Sequence, residues 1–159
     1  SSRSRIVQLT QKTNQFNLTT KRYAESDIDS LIFDPQCMLY SLRVTDRFGD
    51  NGITGTAFLF HSGGQCWEID TFLLSCRILG RTVETAFLAY LIAQIQSQGG
   101  RTLQGWFHPT TQNTPAQNFY EKHGFTNIKK ENDSSWWTLD LQEEVPSFPA
   151  WFRITGETG

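Results

Sequence analysis

The sequence predicts an α/β (α+β) domain: a mixed, mostly antiparallel central sheet with flanking helices. Three observations carry that prediction. From Leu39 to Leu74, extended stretches alternate with the turn signals Phe48-Gly49-Asp50-Asn51-Gly52 and Ser62-Gly63-Gly64, as in an antiparallel meander. Val83, Phe87, Leu91 and Ile95 then recur every four residues, with Leu88 and Ile92 beside them, and Gly99-Gly100 follows. That is a buried helix with a glycine stop. Finally, this helix lies between the apolar stretches Cys66–Leu74 and Thr102–His108. A crossover of that kind makes its two strands parallel neighbours.

The remaining elements follow in order. Arg5 to Gln15 mixes Ile6, Val7 and Leu9 with polar residues without a clear period, and reads as a linker or a helix displaced from something upstream. Phe16 to Tyr23 reads as a first strand, because Phe16 and Leu18 alternate with polar residues and three threonines favour extended backbone. Ser26-Asp27 can cap a short helix through Ile28, Leu31 and Ile32, ending before Asp34-Pro35. Strands are expected over Leu39–Arg47, Ile53–His61, Cys66–Leu74 and, after the long helix, Thr102–His108. Thr114 can cap a helix with Pro115 at its first position, placing Ala116, Phe119, Tyr120 and His123 on one face, with Gly124 as the stop. Phe125–Ile128 and Ser135–Leu141 close as a hairpin, and the proline-broken tail from Gln142 carries Phe148, Trp151, Phe152 and Ile154. Apolar residues in the leader and tail, lacking a core-facing period, suggest either a neighbour outside the domain or two ends that wrap the sheet.

Composition narrows the function. The chain has 159 residues, enough for one domain with a substantial core. A hydrophobic fraction of 38% and an aromatic fraction of 13% argue against disorder. A net charge of −2 points to neither nucleic acid nor an anionic membrane as partner. No apolar run reaches the roughly 18 residues needed for a membrane span. Cys37, Cys66 and Cys76 are odd in number and lack CxxC spacing, so they read as reduced thiols of a cytoplasmic protein, with no metal site expected. The start Ser1-Ser2-Arg3-Ser4-Arg5, without Met, reads as a piece of a longer chain.

Chemistry concentrates between Trp67 and Phe125. The turn Arg77-Ile78-Leu79-Gly80-Arg81-Thr82 joins a strand to a helix N-terminus. A glycine there lets backbone N–H groups meet one anion, with the helix dipole and two arginines adding positive charge. The same glycine also suits an ordinary turn. Glu68 and Asp70 share a strand face by the period of two, and a carboxylate pair of that kind near an edge reads most plainly as a solvated face. His108 ends its strand and is a candidate base, since an unperturbed imidazole titrates near working pH; a loop-facing histidine is the plainer reading. Cys76, beside Arg77 and a helix N-terminus, should be acidified and nucleophilic, unless it is only a small buried thiol.

Order and spacing resemble the GNAT acyltransferase fold, in which acyl-coenzyme A sits in a V-shaped split between two parallel strands of a sheet carrying a β-bulge. The family's pyrophosphate motif, Arg/Gln-x-x-Gly-x-Gly/Ala, corresponds to Arg77-Ile78-Leu79-Gly80-Arg81-Thr82, with Thr82 departing from its small last position. The later pattern Asn-x-x-Ala-x-x-Phe/Leu-Tyr-Glu-Lys-x-Gly-Phe is matched by Asn113, Ala116, Phe119, Tyr120, Glu121, Lys122, Gly124 and Phe125. The resemblance implies a coenzyme A or phosphopantetheine thioester held by Phe72, Leu74, Arg77, Gly80, Arg81, Thr82 and Asn113. It also implies Tyr120 as the acid protonating the departing thiolate, and Glu68 or Asp70 as a general base, since that stretch carries one in some members. Without that role, Tyr120 is a half-buried core tyrosine, and Asn113 a helix cap.

A closer resemblance lies in Lys12-Thr13-Asn14-Gln15-Phe16-Asn17-Leu18-Thr19-Thr20, Phe48-Gly49-Asp50-Asn51-Gly52 and Ile69-Asp70-Thr71-Phe72-Leu73-Leu74-Ser75-Cys76-Arg77. These are similar to the C-terminal part of FkbH-like proteins of polyketide biosynthesis, where a HAD-type phosphatase-like domain precedes a GNAT-like one. That resemblance implies an acyl carrier protein and an upstream HAD-type domain as partners. It also implies residues 1–15 as leader, 16–141 as the GNAT-like domain and 142–159 as tail or last strand. The Asp-x-Asp-x-Thr motif of the HAD half does not occur here. The expected activity is acyl transfer; a non-catalytic docking or structural domain is the alternative.

Overall fold

The computed structural model describes residues 2–75, 82–150, 152, 153 and 155. Among them, seven strands join one mixed sheet and four α-helices flank it. Strands β2 (Cys37–Asp46), β3 (Gly49–Gly63) and β4 (Cys66–Leu74) form the expected antiparallel meander. Helix α3 (Val83–Ser97) carries the chain to β5 (Thr102–Phe107), which runs parallel to β4. β6 (Thr126–Glu131) and β7 (Ser134–Asp140) complete the spatial order β2-β3-β4-β5-β7-β6. The α/β (α+β) prediction therefore holds, and the crossover is the one that the spacing of helix 83–97 required.

α3 buries Val83, Ala86, Phe87, Leu88, Leu91, Ile92 and Ile95 against one core, together with Ile69, Phe72, Leu103, Phe119, Tyr120 and Phe125. Gly99 follows it at φ +82, the left-handed conformation that lets a helix end sharply. The opposite sheet face is covered by α1 (Ser2–Lys12) and α2 (Glu25–Ile32), whose Ile6 and Ile28 pack on Phe58.

The N-terminal stretch departs from expectation. Ile6, Leu9 and Thr10, three and four apart, are buried on one side of α1, so its apolar residues serve this domain rather than a neighbour. Arg22 Nη1 donates to Thr10 O at 2.7 Å and Thr13 O at 2.8 Å, satisfying carbonyls at the helix C-terminus. Six polar side chains among the first eight residues obscure the period in the sequence. The expected strand over Phe16–Tyr23 shrinks to β1, Phe16–Asn17. The helix expected from Thr114 becomes a 3-10 turn, Thr114–Ala116, followed by the short helix α4, Phe119–Lys122. Of the tail residues expected to face a neighbour, Phe148 and Phe152 meet edge-on, while Trp151 and Ile154 lie outside the described residues.

Candidate active site

The site forms where β4 and β5 part. Their pairing covers Cys66–Ile69 against Thr102–Gly105 and then stops. At that point β4 takes an extra residue: Phe58 of β3 faces Thr71 and Leu59 faces Ile69, leaving Asp70 as a bulge. A bulge bends its strand and increases local twist, so β4 leans away from β5 directly after Ile69. Gly105 sits at the apex. A Cβ there would lie 2.1 Å from the Tyr120 hydroxyl and 3.3 Å from Ile69 Cβ, so only glycine fits.

The split is filled by the chain itself. β1 pairs antiparallel with β4, Phe16 opposite Leu74 and Asn17 opposite Leu73. Leu18 N donates to Phe72 O at 3.2 Å, and Leu18 O accepts from His108 N at 2.9 Å. Thr19 Oγ1 donates to Asp70 O at 2.8 Å. Residues 16–19 thus bridge both walls of the split, and all four are buried. The Phe16 ring contacts Phe72 and Phe119. Phe72 and Leu74, which the resemblance assigns to a thioester arm, present this edge to Leu18 and β1 in this arrangement.

Asn113 is fully buried and fully used. Its Nδ2 donates to Asn17 O at 3.0 Å and His108 O at 2.9 Å, while Oδ1 accepts from Thr110 N at 2.7 Å. It stands at the N-cap of the Thr114–Ala116 turn, but its side chain makes no cap hydrogen bond; it clamps the filling segment to the end of β5. Tyr120 is 2% exposed, packs on Phe125 and Trp137, and donates its hydroxyl to Trp106 O at 3.2 Å. Burial, with Glu68 adding, raises the phenol well above its ordinary pKa, so it keeps its proton. A proton held there suits a general acid, but in this arrangement the hydroxyl faces a backbone carbonyl.

The two carboxylates differ. Asp70 is bound by Lys21 Nζ at 2.6 Å, by the Tyr23 hydroxyl, and by Thr71 Oγ1 at 3.0 Å. Three donors make it an anchor for residues 19–23, a role that leaves little lone-pair capacity for a base. Burial pushes the Glu68 carboxyl upward; Lys21 pulls it back and Asp70 adds to the rise. Burial lowers His108, helped by Lys21. Its Nδ1 lies 2.7 Å from Ser134 Oγ and its ring stacks on Trp106. Lys21 thus lies within electrostatic reach of three predicted residues, Glu68, Asp70 and His108. Thr82 begins α3 at φ +58, a left-handed conformation that suits the small residue of the family motif better than a β-branched one. Cys76, Arg77, Gly80 and Arg81 lie outside the described residues. Among the described residues no cluster of His, Cys, Asp and Glu has the makings of a metal site.

The filling segment and its anchors, Lys21 and Tyr23, escape sequence reasoning. Phe16-Asn17-Leu18 reads as a strand, but no periodicity says which sheet edge a strand joins.

The fold recurs in solved structures. The ribosomal-protein alanine N-acetyltransferase of Escherichia coli is 14% identical, with 96% of this chain and 93% of that one covered at TM-score 0.64. The PaiA N-acetyltransferase of Thermoplasma acidophilum, solved with coenzyme A, is 15% identical over 74% of this chain and 72% of that one, at TM-score 0.61. The aminoglycoside 6'-N-acetyltransferase of Enterococcus faecium is 16% identical over 74% and 81%, at TM-score 0.56. No curated protein matches the chain. The family model of acetyltransferases (GNAT) matches residues 4–125. With the bulged β4, the split from β5 and the crossover helix all in place, the chain belongs to the acetyltransferase (GNAT) family.

Proposed function

We propose that this acyltransferase domain works on a phosphopantetheine thioester, carried by coenzyme A or by an acyl carrier protein, in an assembly of the FkbH-like type with an upstream HAD-type domain. The observation that carries the reading is the divergence of β4 from β5 at Asp70 and Gly105, directly ahead of the glycine turn. A pantetheine arm has two amides and can satisfy a strand edge as another strand does. Arg77 and the backbone after Gly80 are the proposed diphosphate contacts. A groove lined by Arg5, Lys12, Asn14, Leu74, Ser75 and Gln112 opens beside the end of β4, with Arg5 and Lys12 bringing positive charge to that strand end. The coenzyme A named in the Thermoplasma acidophilum structure is consistent with this reading.

Tyr120 as acid, with Glu68 or His108 as base, is the proposed machinery. Transfer would join the acyl carbon to an acceptor thiol or amine, while the departing pantetheine sulfur takes a proton from Tyr120. The acyl group and acceptor are to be found by intact-mass analysis of the domain mixed with assorted acyl-coenzyme A donors and a carrier protein. Arg77→Ala should weaken coenzyme A binding and flatten its salt dependence. Calorimetry showing equal affinity and salt slope would remove Arg77 from the site.

A second reading, a non-catalytic module that docks a carrier protein for its HAD-type neighbour, is favoured by the filled split. It predicts binding of acylated carrier protein without transfer.

A further inference from the structure

We infer that residues Phe16–Thr20 form a built-in occupant of the arm site, so that a thioester enters only when this segment leaves the β4 edge. The inference rests on the thioester reading and adds its regulation.

A strand edge opened by a bulge exposes backbone groups that need partners. Phe72 O already accepts from Leu18 N, and β1 pairs with Leu73 and Leu74. His108 N on the far wall donates to Leu18 O, so one residue spans the gap. An arm lying along Phe72 and Leu74 would need the same backbone groups and the same volume as Leu18, which is wholly buried. Both cannot be present.

The segment is also held from outside. Asn113 grips Asn17 O, Thr19 grips Asp70 O, and Lys21 and Tyr23 converge on the Asp70 carboxylate. Asn113 and Asp70 are positions that the sequence singled out for catalysis and cofactor binding. In this arrangement both serve to keep the segment in place, which makes them positioning residues for the occupant. The binding-competent fraction is then the fraction of molecules in which 16–20 has detached, and apparent affinity is reduced by that fraction.

The test measures opening and affinity in the same molecules. Amide exchange at Leu18 and His108 reports the segment's two hydrogen bonds, and Leu141 N, bonded to Arg101 O at the remote end, serves as control. Thr19→Val removes the bond to Asp70 O with little change in shape, and Leu18→Ala thins the filling; a cooperative thermal melt checks that each variant folds. Coenzyme A, and pantetheine as a probe without phosphates, are titrated into wild type and variants. We expect each tenfold rise in opening to tighten apparent affinity about tenfold, with Leu18 and His108 losing protection at saturation and Leu141 keeping it. Equal affinity in all forms, with Leu18 still protected when ligand is bound, overturns the occupant while leaving the thioester reading intact. Variants that open yet bind neither probe overturn both.

Discussion

β4 has two halves that the sequence does not distinguish and the fold treats differently. From Cys66 to Ile69 its edge is taken by β5, in parallel register, and the pairing is joined by a crossover helix. From Asp70 to Leu74 the same edge is taken by two residues of β1 and by Leu18, brought from far upstream. Both halves are buried and apolar on the core side. The difference lies in the lock. The first half is held by a continuous ladder. The second is held by side chains converging on a short peptide: Asn113, Thr19 and the Asp70 cluster. A ladder breaks as a unit, whereas a clamped peptide can leave alone, and partial opening draws on the least laddered segments.

The largest expected effect is at the apex that separates the halves. Gly105→Ala puts a methyl 2.1 Å from the Tyr120 hydroxyl and 3.0 Å from its Cζ. Overpacking of this kind should cost about 3 kcal/mol, or roughly 6–12 °C in Tm for a chain of this length. Adding Tyr120→Phe deletes the nearest atom and should recover about a third of the loss. Thermal melts of the two single variants and the double variant settle it. Strict additivity would mean that Tyr120 does not close the apex, and the two halves would then meet differently from the arrangement seen here.

Asn113→Ala comes next and touches only the clamped half. It strands Asn17 O, His108 O and Thr110 N without their side-chain partner. Leaving buried polar groups unsatisfied costs about 2 kcal/mol. Exchange at Leu18 and His108 should accelerate by at least tenfold more than at Leu141. Uniform acceleration at all three amides would make the split one cooperative unit with the rest of the sheet.

How much of this was legible follows the same line. Regular patterns gave the laddered part: the period of four from Val83 to Ile95, the hairpin turns, and the strand assignments that put β4 beside β5. The motif from Asn113 to Phe125 also located α4, since Gly124 at φ +86 ends it as a glycine stop should. The resemblance implied a bulge, but the local pattern does not place it at Asp70, because one extra residue in an apolar strand looks like any other. The filling segment was read as a strand, but its place depends on an edge created far along the chain. What occupies the split was therefore not legible. Asn113, Asp70, Phe72 and Leu74, the positions that the resemblance and the strand period single out, each face residues 16–23 in this arrangement. Arg77 and Gly80, on which the phosphate reading rests, lie outside the described residues.

The smallest effect should come from pH, and it too separates the halves. His108 ends β5 on the clamped side, with its backbone N–H on Leu18 O and its ring beside Ser134. Burial, then Lys21, holds its pKa below the ordinary value of 6.5. A group whose pKa is depressed by folding binds fewer protons folded than unfolded, so its contribution is present above about pH 6.5 and lost as pH falls toward the folded value. Protonation also places a cation near Lys21, on the wall that carries Leu18. Lowering pH from 7 to 5.5 should therefore raise the intrinsic-rate-corrected opening at Leu18 by a few-fold, while Leu141 changes less. His123, also depressed by burial, lies near Thr85 on the α3 side and should move both amides together through global stability. His108→Gln keeps a side chain able to reach Ser134 but removes the titration, so the difference between Leu18 and Leu141 should become flat with pH. If that difference persists in His108→Gln, the acid sensitivity belongs to another group, and the clamped half is not weakened from the β5 side.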